Sequence, residues 1–106
     1  MKVPMTEVIA VRRLSWEGRP NPEVLVSIGK PAEDPGYEEW FYCPIQTSGL
    51  GKDEFTAAIF GIDALQAIEL AVRFVGQRLA DINEKNGGRL RWLDGELPKE
   101  WALPEP

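Results

Sequence analysis

The sequence contains no histidine and only one cysteine, Cys43, among its 106 residues. The lack of histidine excludes catalytic triads built on that residue and removes a preferred zinc ligand. One cysteine cannot form an internal disulfide, and small exported domains usually carry several, so the composition favours a reducing cytoplasm. The apolar run at residues 8–11 is too short for the core of a signal peptide, and no run approaches the length of a membrane span.

Negative charge is in excess and is unevenly distributed. Twelve lysines and arginines stand against 17 aspartates and glutamates, a formal net charge of -5. Residues 33–55 hold six acids and one lysine, a local net charge of -5, and the rest of the chain is nearly neutral. Because this charge repels phosphate groups, we expect neither a nucleic-acid partner nor binding to an anionic membrane.

Length and composition indicate one domain. A chain of 106 residues with 43% apolar content has room for a single hydrophobic core. We therefore predict one domain over residues 1–106, in which residues 94–106 form an extended, proline-punctuated tail with Trp101 as its anchor.

Five segments have the composition of β-strands, with branched and aromatic residues bounded by glycine, proline and asparagine. The predicted strands are residues 6–16, 23–28, 40–46, 55–60 and 89–93. Residues 29–39, between the second and third strands, hold two prolines, two glycines and four acids. That composition cannot bury much surface, so we predict an exterior loop there.

The third strand contains a proline that restricts its place in the sheet. Alternation along the strand places Trp40 and Tyr42 on one face and Cys43 on the other. Pro44 has no backbone N–H to donate, so the strand is expected at an edge of the sheet, or with a bulge at this position.

One long helix is predicted from Asp63 to Asn86. Asp63 is a typical N-cap, Gln66 completes a capping-box pattern, and Gly87 and Gly88 end the helix. Apolar side chains recur in steps of three and four, as expected for a buried helical face. This predicted face consists of Leu65, Ile68, Val72, Val75, Leu79 and Ile82.

Together these elements predict an α+β fold of two layers, in the order β-β-β-(β)-α-β. An antiparallel sheet of four to five strands packs one face against the long helix. The other face, if uncovered, would show some of the large aromatics and serve as a partner or homodimer surface. The aromatics considered for that face are Trp16, Trp40, Tyr42 and Trp92.

Two features in the middle of the chain suggest reactive chemistry at first sight. A cysteine nucleophile needs a base or cation that lowers its pKa, and Cys43 stands among aromatic and aliphatic neighbours instead, so a buried structural cysteine is expected. The sequence GLGK at residues 49–52 lacks the earlier glycine and the following serine or threonine of a phosphate-binding loop. Asp53 in that following position would repel phosphate, so we interpret GLGK as a turn.

The remaining polar clusters also have structural explanations. Adjacent acids usually point apart and match no calcium-loop spacing, so no metal or cofactor is predicted. Four arginines would form a basic strip if the first and last strands were neighbours, but pairing with nearby acids is the favoured interpretation. These arginines are Arg12, Arg13, Arg89 and Arg91.

An ordered set of motifs resembles a family of small bacterial proteins of unknown function. The matching stretches are YCPIQ, GLG, GIDALQAIELA, GRLRWL and a final Leu-Pro, and the resemblance covers residues 24–104 in order. The resemblance implies membership of that family and carries no activity with it. The acidic segment DPGYEE and the tail are the parts most individual to this chain.

The functional expectation is a small cytoplasmic binding module rather than an enzyme. The segment EDPGYEEW combines acids that steer a basic protein partner with aromatics that anchor it, as in an immunity or antitoxin-like inhibitor. Its predicted partner-binding residues are Glu33, Asp34, Tyr37, Glu38, Glu39 and Trp40. Two alternatives stay open: a ligand-binding or enzymatic domain with a pocket between helix and sheet, and a homodimeric structural domain.

Overall fold

An antiparallel sheet and one long helix form the structure, a computed structural model that describes residues 5–93 and 95–97, with Tyr37 and Glu38 described by their backbone alone. The helix, α1, is Ala64–Lys85, and a short 3-10 turn, Gly51–Asp53, lies before the fifth strand. The strands are β1 (Val8–Trp16), β2 (Glu23–Gly29), β3 (Ala32–Asp34), β4 (Tyr37–Ser48), β5 (Thr56–Gly61), β6 (Leu90–Trp92) and β7 (Gly95–Glu96).

The sheet has the order β3-β4-β2-β1-β6-β7, with β5 on the other side of β4. Every pair of neighbouring strands is antiparallel. The predicted α+β class with a single long helix is therefore confirmed. The sheet is larger than predicted, with seven strands, because β3 and β7 are too short to produce a visible alternation in the sequence.

The segment predicted as an exterior loop contains a β-hairpin. β3 pairs with the first half of β4, and the chain reverses at Pro35 and Gly36. The Asp34 carboxylate accepts a hydrogen bond from the Gly36 N–H at 2.8 Å, which replaces a backbone bond in the turn. The prolines and glycines therefore mark a turn between strands rather than a continuous loop.

The prediction that Pro44 lies at a sheet edge or a bulge is wrong, because β4 is an interior strand with a regular register opposite β5 around this residue. The Thr47 N–H faces β5, because it donates a hydrogen bond to the Phe55 C=O. Backbone groups alternate in direction along a strand, and Pro44 is three residues before Thr47, so its nitrogen faces the other side, where β2 and β3 lie. On that side the pairing of β4 changes strand, from Ile28 opposite Ile45 to Ala32 opposite Tyr42. The N–H that proline lacks would therefore point at the gap between the two partner strands, β2 and β3.

The predicted helix ends are confirmed. Asp63 is the N-cap, and its carboxylate accepts a hydrogen bond from the Gln66 N–H at 2.7 Å. The Gln66 side chain in turn accepts from the Ile62 N–H at 2.8 Å. At the other end the Gly88 N–H donates to Asn83 C=O at 2.8 Å, and Gly88 has a φ of 74°, a backbone conformation that favours glycine.

The buried face of α1 differs from the predicted one at the start of the helix. Leu65 is 65% exposed, and two alanines in the first half of the helix are fully buried instead. Small side chains let the helix approach the sheet closely: a Cβ placed on Gly61 would lie 2.5 Å from the Ala67 nitrogen. The buried residues of α1 are Ala67, Ala71, Val75, Leu79 and Ile82.

The core lies between α1 and the sheet face turned toward it, which we call the inner face. Val24, Val26, Cys43 and Ile45 from the central strands are almost fully buried there. Trp16 is also buried in this core, and Trp92 packs against it, so these two tryptophans do not lie on the opposite face considered for them. The sheet face turned away from α1 is called the outer face below.

Candidate functional site

The predicted partner-binding segment forms the β3–β4 hairpin, at one end of the sheet. Glu33 lies opposite Phe41 on β4, and the backbone of Asp34 lies opposite that of Tyr37. Glu33 and Glu39 are exposed, whereas Asp34 is half-buried and holds the turn. The register shifts between these two pairs, so Glu39 and Trp40 lie in an irregular part of the hairpin.

The exposed acids Glu33 and Glu39 form no ion pair in the part of the chain that the structure describes. The ion pairs there lie elsewhere: Arg13 with Glu23 at 3.0 Å, Arg91 with Glu17 at 3.0 Å, and Lys85 with Asp53 at 2.5 Å. The carboxylates of Glu33 and Glu39 therefore leave a negative potential at this end of the sheet.

The same end of the sheet carries exposed aromatic side chains. Trp40 is 43% exposed, and Tyr42 contacts Phe60 of β5 across the outer face, with ring centroids 6.5 Å apart. Phe60 is 47% exposed and Ile62, just after β5, is 65% exposed. Sequence reasoning missed Phe60, because only the register between β4 and β5 brings it opposite Tyr42.

Cys43 is fully buried on β4, and its only hydrogen-bond partner among the described residues is the Gly29 carbonyl, to which the Sγ donates at 3.5 Å. Burial raises the pKa of the Cys43 thiol to about 11. A thiol that stays protonated and out of contact with solvent is a poor nucleophile. The structural interpretation of this cysteine is therefore consistent with its surroundings.

The GLGK segment is a turn closed by its own glutamate. The Glu54 carboxylate accepts hydrogen bonds from the Gly49 N–H at 2.5 Å and from the Leu50 N–H at 3.3 Å. Gly49 has a φ of 87°, and a Cβ there would lie 2.2 Å from Glu23 C=O. The backbone donors that a phosphate would need are already bonded to a carboxylate, so the geometry agrees with a turn.

The arginines of the first and last strands lie near one another, but they contact different groups. β6 pairs with the end of β1, with Arg91 opposite Ser15, as the basic-strip hypothesis required. Arg13 and Arg91 pair with acids, and the Arg12 guanidinium lies 4.4 Å from the Trp92 ring centre. Since Arg12 and Arg13 are adjacent in a strand, they also point to opposite faces. This arrangement fits the favoured interpretation of local pairing.

The described residues form a cleft on each of two sides of the helix. A mostly apolar cleft of about 190 Å³ lies between α1 and the β1–β2 pair, with Arg12 at its wall. A polar cleft of about 370 Å³ lies near the C-terminal end of α1, and it is crossed by the Lys85–Asp53 ion pair. Hydrogen bonds from Lys85 and then Asn86 lower the pKa of Asp53. Within residues 5–93 and 95–97, no three acidic or cysteine side chains gather into a metal-binding cluster.

Among the described residues, no helix combines the length and the apolar character needed to cross a membrane. Residues 98–106, including Trp101, lie outside the described part of the chain, so the predicted tail and its anchor remain predictions.

These features define a small α+β domain in which a helix covers one face of an antiparallel sheet, while the hairpin carries exposed acids and aromatics. The family model of a domain of unknown function, DUF6968, matches residues 10–104, and the chain belongs to this family. No curated protein and no solved structure shows significant similarity to it. The expected membership of an uncharacterised domain family is thus confirmed.

Proposed function

We propose that this chain is a small cytoplasmic module that binds a basic protein partner through the β3–β4 hairpin and has no catalytic activity of its own. One observation carries the proposal: exposed carboxylates that form no ion pair among the described residues lie in the same hairpin as Trp40, whose side chain is 43% exposed. An inhibitor of the immunity or antitoxin kind would use such a surface.

The two kinds of side chain supply different parts of the binding energy. Exposed carboxylates accelerate the approach of a basic partner and select its charge, and their effect weakens with salt. A partly exposed tryptophan gives a large, rigid contact area, and such residues often dominate the affinity of an interface. Because β3 is already paired with β4, part of the hairpin backbone is ordered before binding, which reduces the conformational entropy lost.

A capture experiment with matched variants tests this proposal. The purified protein is immobilised and exposed to lysate of its native cell, and the retained proteins are compared for wild type, Trp40→Ala and Glu39→Lys. We expect a basic protein that is retained by wild type, weakened about tenfold by Trp40→Ala, and released as salt increases. Glu69→Lys, which makes the same charge change at an exposed helix position, is the control and should retain the partner.

The proposal fails if no basic protein is retained, or if retention is the same for Trp40→Ala, Glu39→Lys and wild type. Equal loss in Glu69→Lys would also contradict it, since that result would indicate a general charge effect. Thermal unfolding of each variant shows that lost retention does not reflect lost folding.

A small ligand in the cleft between α1 and the β1–β2 pair is a second candidate. The apolar lining with Arg12 at the wall suits an amphipathic anion. The cleft, about 190 Å³, is smaller than the roughly 300–1,000 Å³ of most ligand pockets, so this candidate has weaker support.

A further inference from the structure

The free edge of β5 is a separate feature of the same end of the molecule. β5 pairs with β4 on one side, and no other strand of the described chain pairs with it. The Phe55 C=O faces β4, because it accepts a hydrogen bond from the Thr47 N–H. Backbone groups alternate in direction along a strand, so those of the next residue and of every second residue after it face away from β4. The residues whose backbone N–H and C=O groups face outward are Thr56, Ala58 and Phe60.

This edge has none of the devices that usually protect an exposed strand. The β5 sequence TAAIFG contains neither proline nor a charged residue, and its register with β4 runs over six pairs without a bulge. Protected edges commonly carry lysine, proline or a bulge that prevents another strand from pairing. The outward N–H and C=O groups of β5 are therefore arranged to accept an added strand.

Apolar side chains lie on both sides of the edge. On the outer face, Phe60 is 47% exposed beside Tyr42. On the inner side, Phe74 of α1 packs edge-on against Phe55 at 6.0 Å. Leu70 lies one helical turn before Phe74, on the same flank of the helix, and is 38% exposed. The alternating side chains of an added strand would thus meet apolar surface above and below the sheet.

The charge at one end of the edge indicates what kind of strand fits. β5 ends at Gly61, and Glu33 on β3 lies three strand spacings, about 14 Å, from a strand added there, too far to pair with it. Asp63 is exposed just beyond the end of β5. A cation on the added strand at this end would lie near the Asp63 carboxylate.

We propose that β5 receives an extended segment of the basic partner as an additional antiparallel strand, with lysine or arginine at its amino end near Asp63. Antiparallel pairing continues the arrangement of the whole sheet and places the amino end of the added strand next to Gly61. This inference rests on the proposed function and names how the partner binds: its backbone supplies affinity, and its alternating side chains supply specificity.

A second copy of the chain fits the same edge less well. Antiparallel self-pairing that uses all three outward residues is centred on Ala58, with Thr56 opposite Phe60. Each copy carries a formal net charge of -5, so two copies repel each other, and a basic segment of another protein is favoured.

A synthetic peptide tests strand addition directly. The probe is a fluorescein-labelled peptide, Lys-Lys-Val-Thr-Val-Thr-Val-Thr, titrated with the whole protein at protein concentrations up to about 1 mM. Two further peptides carry N-methyl groups on all valines or on all threonines. Since only one of these sets faces β5, we expect one methylated peptide to lose affinity by about tenfold or more and the other to bind like the parent.

Three results with unmodified protein would overturn the inference. The first is the absence of saturable binding over that range. The second is equal binding of the two N-methylated peptides. The third is unchanged affinity when both lysines of the probe are replaced by glutamate, because the Asp63 carboxylate would then play no part.

The variant Ala58→Pro provides an independent test, because it removes the central outward N–H while the edge position tolerates proline. We expect about tenfold weaker binding of the probe, with thermal unfolding close to that of wild type. If a partner captured through Trp40 is retained equally by a folded Ala58→Pro variant, strand addition is wrong and the proposed function stands. A concentration-dependent dimer that Ala58→Pro abolishes would overturn the inference in favour of self-pairing.

Discussion

Cys43 shows how burial decides the chemistry of a single residue. With a pKa of about 11, the thiol is protonated at neutral pH, and no solvent reaches it. At about pH 8, roughly one thiol in a thousand would be ionised in the folded protein. We expect iodoacetamide to leave Cys43 unmodified in the folded chain and to modify it fully in urea, as measured by intact mass. Rapid modification without denaturant would contradict this and would favour a reactive cysteine.

Asp53 ties the turn before β5 to the end of α1, and its charge should make stability depend on pH. Hydrogen bonds from Lys85 and Asn86 lower its pKa in the folded state. Because the folded-state pKa is below that of the unfolded chain, the contribution is present above about pH 4 and is lost as pH falls through the folded-state pKa.

The variant Asp53→Asn should therefore be less stable than wild type near neutral pH, and the difference should shrink on acidification. Urea unfolding at several pH values measures it. Glu84→Gln, at an exposed helix position, is the control and should show little difference at any pH. A difference between Asp53→Asn and wild type that stays constant down to about pH 2 would show that the carboxylate contributes only through its shape.

The N-terminus of α1 depends on one side chain. Asp63 satisfies the Gln66 N–H at 2.7 Å, a donor with no partner inside the helix. Asp63→Ala should lower the free energy of unfolding by about 1 kcal/mol, whereas Asp63→Asn, which also caps helices, should cost much less. Unfolding in urea followed by circular dichroism measures both. Equal stabilities of Asp63→Ala and wild type would show that the cap does not stabilise the fold.

At the level of elements, the sequence signals differ in what they determine. The cap at Asp63 and the glycines after Asn86 depend on neighbouring residues only, so they predict the helix ends correctly. The buried face of α1 depends on what it packs against. Leu65 fits the apolar periodicity, yet close approach of the helix to Gly61 buries Ala67 and leaves Leu65 exposed. Periodicity identifies an amphipathic helix but does not give the rotation at which it meets the sheet.

Strand pairing limits prediction in the same way. Proline at position 44 indicates a missing backbone hydrogen-bond donor, but the amino-acid sequence cannot show that β4 changes its partner strand near that residue. The candidate site depends on such pairings as well. The acids of the hairpin and Trp40 are adjacent in the sequence and were found, whereas Phe60 joins them only through its register opposite Tyr42. Residues that meet through non-local pairing carry no local signal.

For the whole molecule, one contiguous core connects helix and sheet. Buried side chains of α1 lie in the same cluster as Trp16, Val24 and Ile45 from three strands. Neither layer can keep its apolar face out of water without the other, so we expect a single cooperative transition. Helix content by far-ultraviolet circular dichroism and tryptophan fluorescence should then give the same urea midpoint.

Leu79→Ala sharpens this test, because Leu79 is fully buried at the centre of the contact. The substitution should lower the free energy of unfolding by about 2–5 kcal/mol through lost burial and the cavity it leaves. The urea midpoints from circular dichroism and from tryptophan fluorescence should shift together, since Trp16 lies on the sheet side of the same core. Separate midpoints, with only the circular dichroism signal moved by Leu79→Ala, would show that the helix melts off an intact sheet. In that case the edge of β5 would lose its inner wall before the sheet itself unfolds.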